Sequence, residues 1–159
     1  MKLITSAVFA LFAFSSAAIA EGDVAKGQKS FGKCKACHSV VTPEGDVLFK
    51  GGRTGPNLYG VIGRPAASTD FRYSKDLIAL GETGLVWSQE ELAAFVADPR
   101  GYLKAKGTKG KTKMMVKLKK GGPDVAAFLA SLAPAPEEVE AAAEDMQAAP
   151  KEEAAATSE

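Results

Sequence analysis

Cys34-Lys35-Ala36-Cys37-His38 constrains this chain more than any other stretch. The pattern C-x-x-C-H marks covalent haem attachment. Two thiols at that spacing can add to the two vinyl groups on one edge of a haem. The imidazole that follows can then lie beneath the iron as an axial ligand. A C-x-x-C pair is also compatible with a redox disulfide or half of a zinc site. Zinc needs about four protein ligands in a structural site, whereas the chain has 2 Cys and 1 His, with no acidic residue near the motif. A thioredoxin-like site calls for a βαβ context, and no strand-like alternating run precedes Cys34. Haem is the expected cofactor.

Because His38 is the single histidine, a bis-histidine haem and a second C-x-x-C-H haem are both excluded. A sixth protein ligand would then be methionine. Of the 4 methionines, Met1 falls in a segment expected to be removed and Met146 in a tail, which leaves Met114 and Met115.

Residues 1–20 read as a secretory signal peptide: Lys2 as a minimal charged region, an apolar stretch from Leu3 to Phe14, and Ala18-Ile19-Ala20 as the cleavage site. Thr5, Ser6, Ser15 and Ser16 interrupt that stretch, which argues against a membrane span. Export agrees with covalent haem attachment, which in bacteria takes place outside the cytoplasmic membrane. Residues 21–132 suffice for one small haem-binding domain, and a buried haem would enlarge its limited core. From 133 to 159 the composition turns to Ala, Glu and Pro without aromatics, expected to be a disordered tail. Charge divides at the same boundary. Residues 21–132 hold 18 Lys+Arg against 11 Asp+Glu, net +7, while 133–159 hold 1 Lys against 8 acids, net −7.

Within the domain the pattern predicts short helices and long loops. A first helix is expected from Val24 to Lys33 with Asp23 as N-cap, Val24, Gly27 and Phe31 sharing a face. Gly27 costs about 1 kcal/mol relative to Ala in a helix interior, a cost that makes sense if another helix passes close by. Residues 39–63 carry loop signals. Ser74 caps a helix bearing Leu77, Ile78 and Leu80, stopped by Gly81. Ser88 and Glu91 form a capping box, with Trp87 stapled onto Leu92 and Pro99 ending the helix. A buried Trp87 needs a partner for its indole N–H, which a haem propionate would supply. Residues 99–123 read as a basic loop carrying Arg100 and eight lysines with no acid. A last helix opens at Pro123 with the stripe Val125, Phe128, Leu129 and Leu132.

These features in this order resemble the class I c-type cytochromes, above all the bacterial cytochrome c2 and c-550 group. The resemblance runs from about Gly22 to Leu132. It rests on Gly27 and Phe31, the C-x-x-C-H motif, Thr54-Gly55-Pro56-Asn57-Leu58-Tyr59-Gly60, Trp87, Lys111-Thr112-Lys113-Met114, and Val125 to Leu129. It implies an all-α fold of about four to five short helices and long loops around one covalently attached haem c. It further implies thioethers at Cys34 and Cys37, and His38 and Met114 as axial ligands. The Pro56 carbonyl would orient His38, and Arg64, Tyr73 and Trp87 would lie at the propionates. Phe95 stands where the family often has a tyrosine, and Val116 where an aromatic often shields the haem edge.

The function implied is one-electron carriage in the periplasm by a soluble monomer. The carrier would run from a cytochrome bc complex to a photosynthetic reaction centre or a terminal oxidase, docking through the lysine-rich face. Neither nucleic acid binding nor stable membrane insertion is expected. The alternative is an open-site haem protein, peroxidase-like or gas-binding.

Overall fold

Gly27 and the two helices that cross beside it set the frame of the molecule. The computed structural model describes residues 22–133; the expected signal peptide at 1–20 and the acidic tail from 134 onward lie outside the described residues. Helix α1 (Val24–Phe31) starts where Asp23 accepts from the Lys26 N–H at 2.9 Å. The Asp23 N–H in turn donates to the Asp124 carboxylate at 2.9 Å, so the cap of α1 is tied to the start of helix α5 (Gly122–Ala130). At the crossing a Cβ on Gly27 would lie 2.0 Å from the Asp124 carbonyl oxygen and 2.7 Å from the Phe128 Cβ. Only a bare Cα permits that approach, so the close-passage expectation for Gly27 holds. Phe31, Phe49 and Phe128 meet there with ring centroids 5.3–5.6 Å apart.

Helix α1 stops at Phe31, two residues short of the expected end, because Gly32 already turns its N–H back to Lys29 and Ser30. Val24, placed by the pattern on the inner face, is 45% exposed. Residues 39–63 are not loop throughout. Val40–Val41 (β1) and Val47–Phe49 (β2) pair antiparallel across the Thr42–Asp46 turn. Strands of two and three residues are too short to announce themselves by alternation, although all their residues but Leu48 are β-branched or aromatic.

Helix α2 (Lys75–Glu82) is capped by the Ser74 hydroxyl as expected, but it runs through Gly81 to Glu82, with Thr83 as its C-cap. Gly81 instead lets the backbone of Ala66 approach: an added Cβ would sit 2.2 Å from its carbonyl oxygen. Helix α3 (Gln89–Ala97) is capped by Ser88, whose hydroxyl accepts from the Glu91 N–H at 3.1 Å. Only that half of the capping box forms. The Glu91 carboxylate turns away to accept from the Tyr102 hydroxyl and the Lys106 ammonium, both at 2.5 Å. Tyr102 belongs to helix α4 (Pro99–Ala105) and Lys106 is its C-cap, where a basic loop was expected. Pro99 does end α3, yet Asp98 also caps α4, accepting from Gly101 N–H at 3.1 Å, with Pro99 in the first turn.

The described residues thus hold five helices and one small hairpin, in line with the expected all-α class. Leu92, Phe95 and Val96 of α3 and Val125, Phe128 and Leu129 of α5 are buried as their spacing predicts. Trp87 and Leu92 share this core. Each such side chain contributes about 1.5–3 kcal/mol on burial. No helix among the described residues is long and apolar enough to cross a membrane.

Candidate functional site

The chain leaving α1 tightens into a 3-10 turn at Cys34–Ala36. The N–H groups of Cys37 and His38 both bond the Cys34 carbonyl, at 3.0 and 2.9 Å. This folding brings both cysteines and His38 to the wall of one cavity of about 310 Å³. That volume lies at the lower end of the roughly 300–1,000 Å³ usual for ligand and cofactor sites. Cys34 and Cys37 are not joined in a disulfide. Burial, then the neighbouring Cys37, pushes the Cys34 thiol above its ordinary pKa.

A glycine-rich loop closes over the motif from outside. Gly52 N–H donates to the Lys35 carbonyl and Gly55 N–H to that of Cys37, each at 2.8 Å. Side chains would block this contact. A Cβ on Gly51 would lie 1.9 Å from the His38 carbonyl oxygen, and one on Gly52 would lie 2.2 Å from that of Ala36. On Gly55 it would lie 2.4 Å from His38 Cε1 and 2.6 Å from Nδ1. Packed against the Gly55 backbone, the His38 ring has its Nδ1 2.8 Å from the Pro56 carbonyl oxygen. A carbonyl can only accept, so Nδ1 carries the proton and Nε2 keeps its lone pair. Burial also lowers the His38 pKa, outweighing the opposite pull of the Pro56 bond. The ring is thereby held neutral and in one tautomer, the form that binds metal.

The remaining wall comes from distant parts of the chain. Arg64 borders the cavity while its guanidinium donates to the carbonyls of Tyr59 and Asn57, each at 3.0 Å. Tyr73 lines it too, its hydroxyl paired with Thr69 at 2.5 Å. Trp87, 6% exposed, packs on Phe95 and Tyr102 at 5.2 and 6.1 Å between centroids. Phe95 thus belongs to an aromatic stack at the cavity wall. Both candidate methionines border the cavity, but they differ in setting. Met114 packs against the core, and its N–H donates to the Thr112 hydroxyl at 3.0 Å. Met115 is 74% exposed. Val116 is also exposed.

Every residue singled out from the sequence as a haem contact therefore borders one cavity. The fit to haem rests on that donor set: two thiols, a neutral imidazole and a thioether around an apolar space, with Gly55 leaving room for the ring. The loop glycines read in the sequence only as turn signals, and their packing role depends on the His38 ring and on the Ala36 and His38 carbonyls, far back along the chain. Asp76 gave no signal at all, although it is the one charged residue buried among the described residues. Of the basic run, Lys106 pairs with Glu91 and Lys117 with Asp98. Lys104, Lys109, Lys111, Lys113, Lys119 and Lys120 are exposed without an ion pair among the described residues.

The chain matches no protein-family model. It is 52% identical to cytochrome c-551 of Roseobacter denitrificans over 131 residues, covering 80% of this chain and 94% of that one. It is 48% identical to cytochrome c2 of Rhodobacter capsulatus, covering 83% and 98% of the two chains. The X-ray structure of ferric cytochrome c-550 from Paracoccus versutus superposes with a TM-score of 0.69 at 50% identity, over 72% of this chain and all of that one. Identity at this level across nearly the whole length of such relatives, together with the cavity and its donor set, settles the family: the chain is a class I c-type cytochrome of the c2 and c-550 group, a mono-haem electron carrier whose haem c is covalently attached.

Proposed function

We propose that this cytochrome is a periplasmic one-electron carrier in which Cys34 and Cys37 hold haem c through thioethers while His38 Nε2 and Met114 Sδ fill both axial positions. The observation that carries the reading is the His38 ring, fixed by Pro56 and Gly55 with its unprotonated nitrogen available in the cavity that Met114 also borders. When bound, the haem takes up and releases one electron, and His/Met ligation raises its reduction potential. The protein orients the imidazole through the Pro56 carbonyl, lines the cavity with the apolar Trp87, Phe95 and Leu129, and presents a thioether with Met114. Arg64, Tyr73 and Trp87 supply the polar contacts for the propionates.

Were haem held by both His38 and Met114, no position would remain for a substrate, so carriage would prevail over catalysis. The exposed lysines flanking Met114 are the docking face for acidic patches on membrane redox complexes. The donor would be a cytochrome bc complex, and the acceptor a photosynthetic reaction centre or a terminal oxidase. A signal peptide at 1–20 would deliver the chain to the periplasm, where it acts as a monomer. The ligand assignment is tested by two variants of the ferric holoprotein. Met114→Ala should abolish the weak far-red sulfur-to-iron band and admit cyanide, while Met115→Ala should preserve the band. The opposite pattern would move the ligand to Met115.

A further inference from the structure

The segment that bears Met114 has few ties to the rest of the fold. Thr108 anchors the approach on α4: its N–H and hydroxyl both bond the Leu103 carbonyl, at 3.1 and 2.7 Å. Beyond the segment, Leu118 N–H donates to the Val96 carbonyl at 2.7 Å. Between these points one group from outside bonds the backbone of residues 111–117 among the described residues. It is the Asp76 carboxylate, which accepts from the Lys111 N–H at 2.7 Å across thirty-five residues of sequence. Asp76 is 9% exposed and forms no ion pair among the described residues. It sits in the first turn of α2 behind the Ser74 cap, where the helix N-terminus favours a negative charge. A second tie joins the same two regions, from the Lys113 ammonium to the Arg72 carbonyl, but it lies on the exposed surface.

Burying a carboxylate without a cation is costly, so a single short bond to a backbone N–H is an unusual use of one. We propose that Asp76 is a positioning residue for the sixth ligand. Its carboxylate clamps the Lys111 backbone to α2, three residues before Met114, and so fixes where the thioether meets the cavity. The proposal rests on Met114 as the ligand. It assigns to α2 a part in ligation beyond lining the cavity, and it makes detachment of the 111–117 segment the event that opens the iron.

The test uses the full haem-loaded chain and compares Asp76→Ala, Asp76→Asn and Ser88→Ala. Ser88→Ala weakens the fold at the α3 cap without touching the segment. Loss of one charge-assisted hydrogen bond should raise both Lys111 amide exchange and cyanide association to the ferric form by roughly ten- to a hundredfold in Asp76→Ala. Asp76→Asn, whose Oδ1 can still accept from Lys111, should stay within about threefold of wild type. An unchanged cyanide rate in Asp76→Ala would overturn the proposal. So would Ser88→Ala accelerating it equally, which would reduce the effect to general loss of stability. The ligand assignment is read separately, from the far-red band of Met114→Ala. If that variant keeps the band, the assignment fails and the clamp with it. If the band is lost and Asp76→Ala still binds cyanide at the wild-type rate, the clamp alone fails.

Discussion

Gly55→Ala places one methyl group against the His38 ring, and its cost follows from the distances. The new Cβ would lie 2.4 Å from Cε1, 2.6 Å from Nδ1 and 2.8 Å from Nε2, all well inside ordinary contact. The ring cannot simply swing away, because Nδ1 is bonded to the Pro56 carbonyl at 2.8 Å. Nor can the loop lift freely: Gly52 and Gly55 are bonded to Lys35 and Cys37 at 2.8 Å, and Gly51 already touches the His38 carbonyl. Forcing an extra carbon into such packing costs about 1–3 kcal/mol, and losing the Nδ1 bond adds about 0.5–1.5 kcal/mol. The expected loss is therefore about 1.5–4.5 kcal/mol in the denaturant-unfolding free energy of the ferric holoprotein. A second readout follows from chemistry. The Pro56 bond raises the basicity of the imidazole, which favours ferric iron, so its loss should raise the reduction potential. A Gly55→Ala protein with unchanged unfolding midpoint and unchanged potential would show that the loop does not hold the ring.

Other expectations can be read from the same structure. Gly27→Ala should destabilise the fold by about 1–3 kcal/mol in chemical denaturation, despite the better helix propensity of alanine, because its Cβ meets the backbone of Asp124. Lys111→Glu should slow reduction by a membrane redox partner at low salt, and stopped-flow rates of the wild type should fall steeply with ionic strength. The Glu91 carboxyl is held below its ordinary pKa, first by Lys106 and then by Tyr102. Its stabilising share is complete above the ordinary glutamate range and is lost as pH falls through the lowered value. Glu91→Gln should accordingly flatten the acid limb of a thermal-stability profile.

Much of this site is legible in the chain because its signals are local. Cys34, Cys37 and His38 lie within five residues, and the turn that gathers them is dictated by that spacing. The caps at Asp23, Ser74 and Ser88 each bond the N–H three residues on, so short windows reveal them. Gly27 announces a close crossing because glycine is otherwise a poor choice inside a helix. What the chain concealed depends on distant partners. Pro99 reads as a helix stop, and only the fold shows Asp98 starting a second helix whose Tyr102, with the C-cap Lys106, takes Glu91 from its capping box. The hairpin at Val40–Val41 and Val47–Phe49 is too short for periodicity to show. Asp76 looks like any acidic residue in a first helical turn, and its partner stands thirty-five residues away.

In the proposed function, the haem would exchange one electron with His38 and Met114 as its two protein ligands. An optical redox titration of the full chain, run under argon and again under carbon monoxide, tests it most directly. A ligand that binds the ferrous form alone must shift the midpoint upward, by an amount that grows with the logarithm of one plus the ratio of ligand concentration to Kd. The closed site predicts a single one-electron transition with the same midpoint under both gases. A midpoint that climbs with carbon monoxide pressure would reveal an open axial position and contradict the assignment of this cytochrome as a pure carrier.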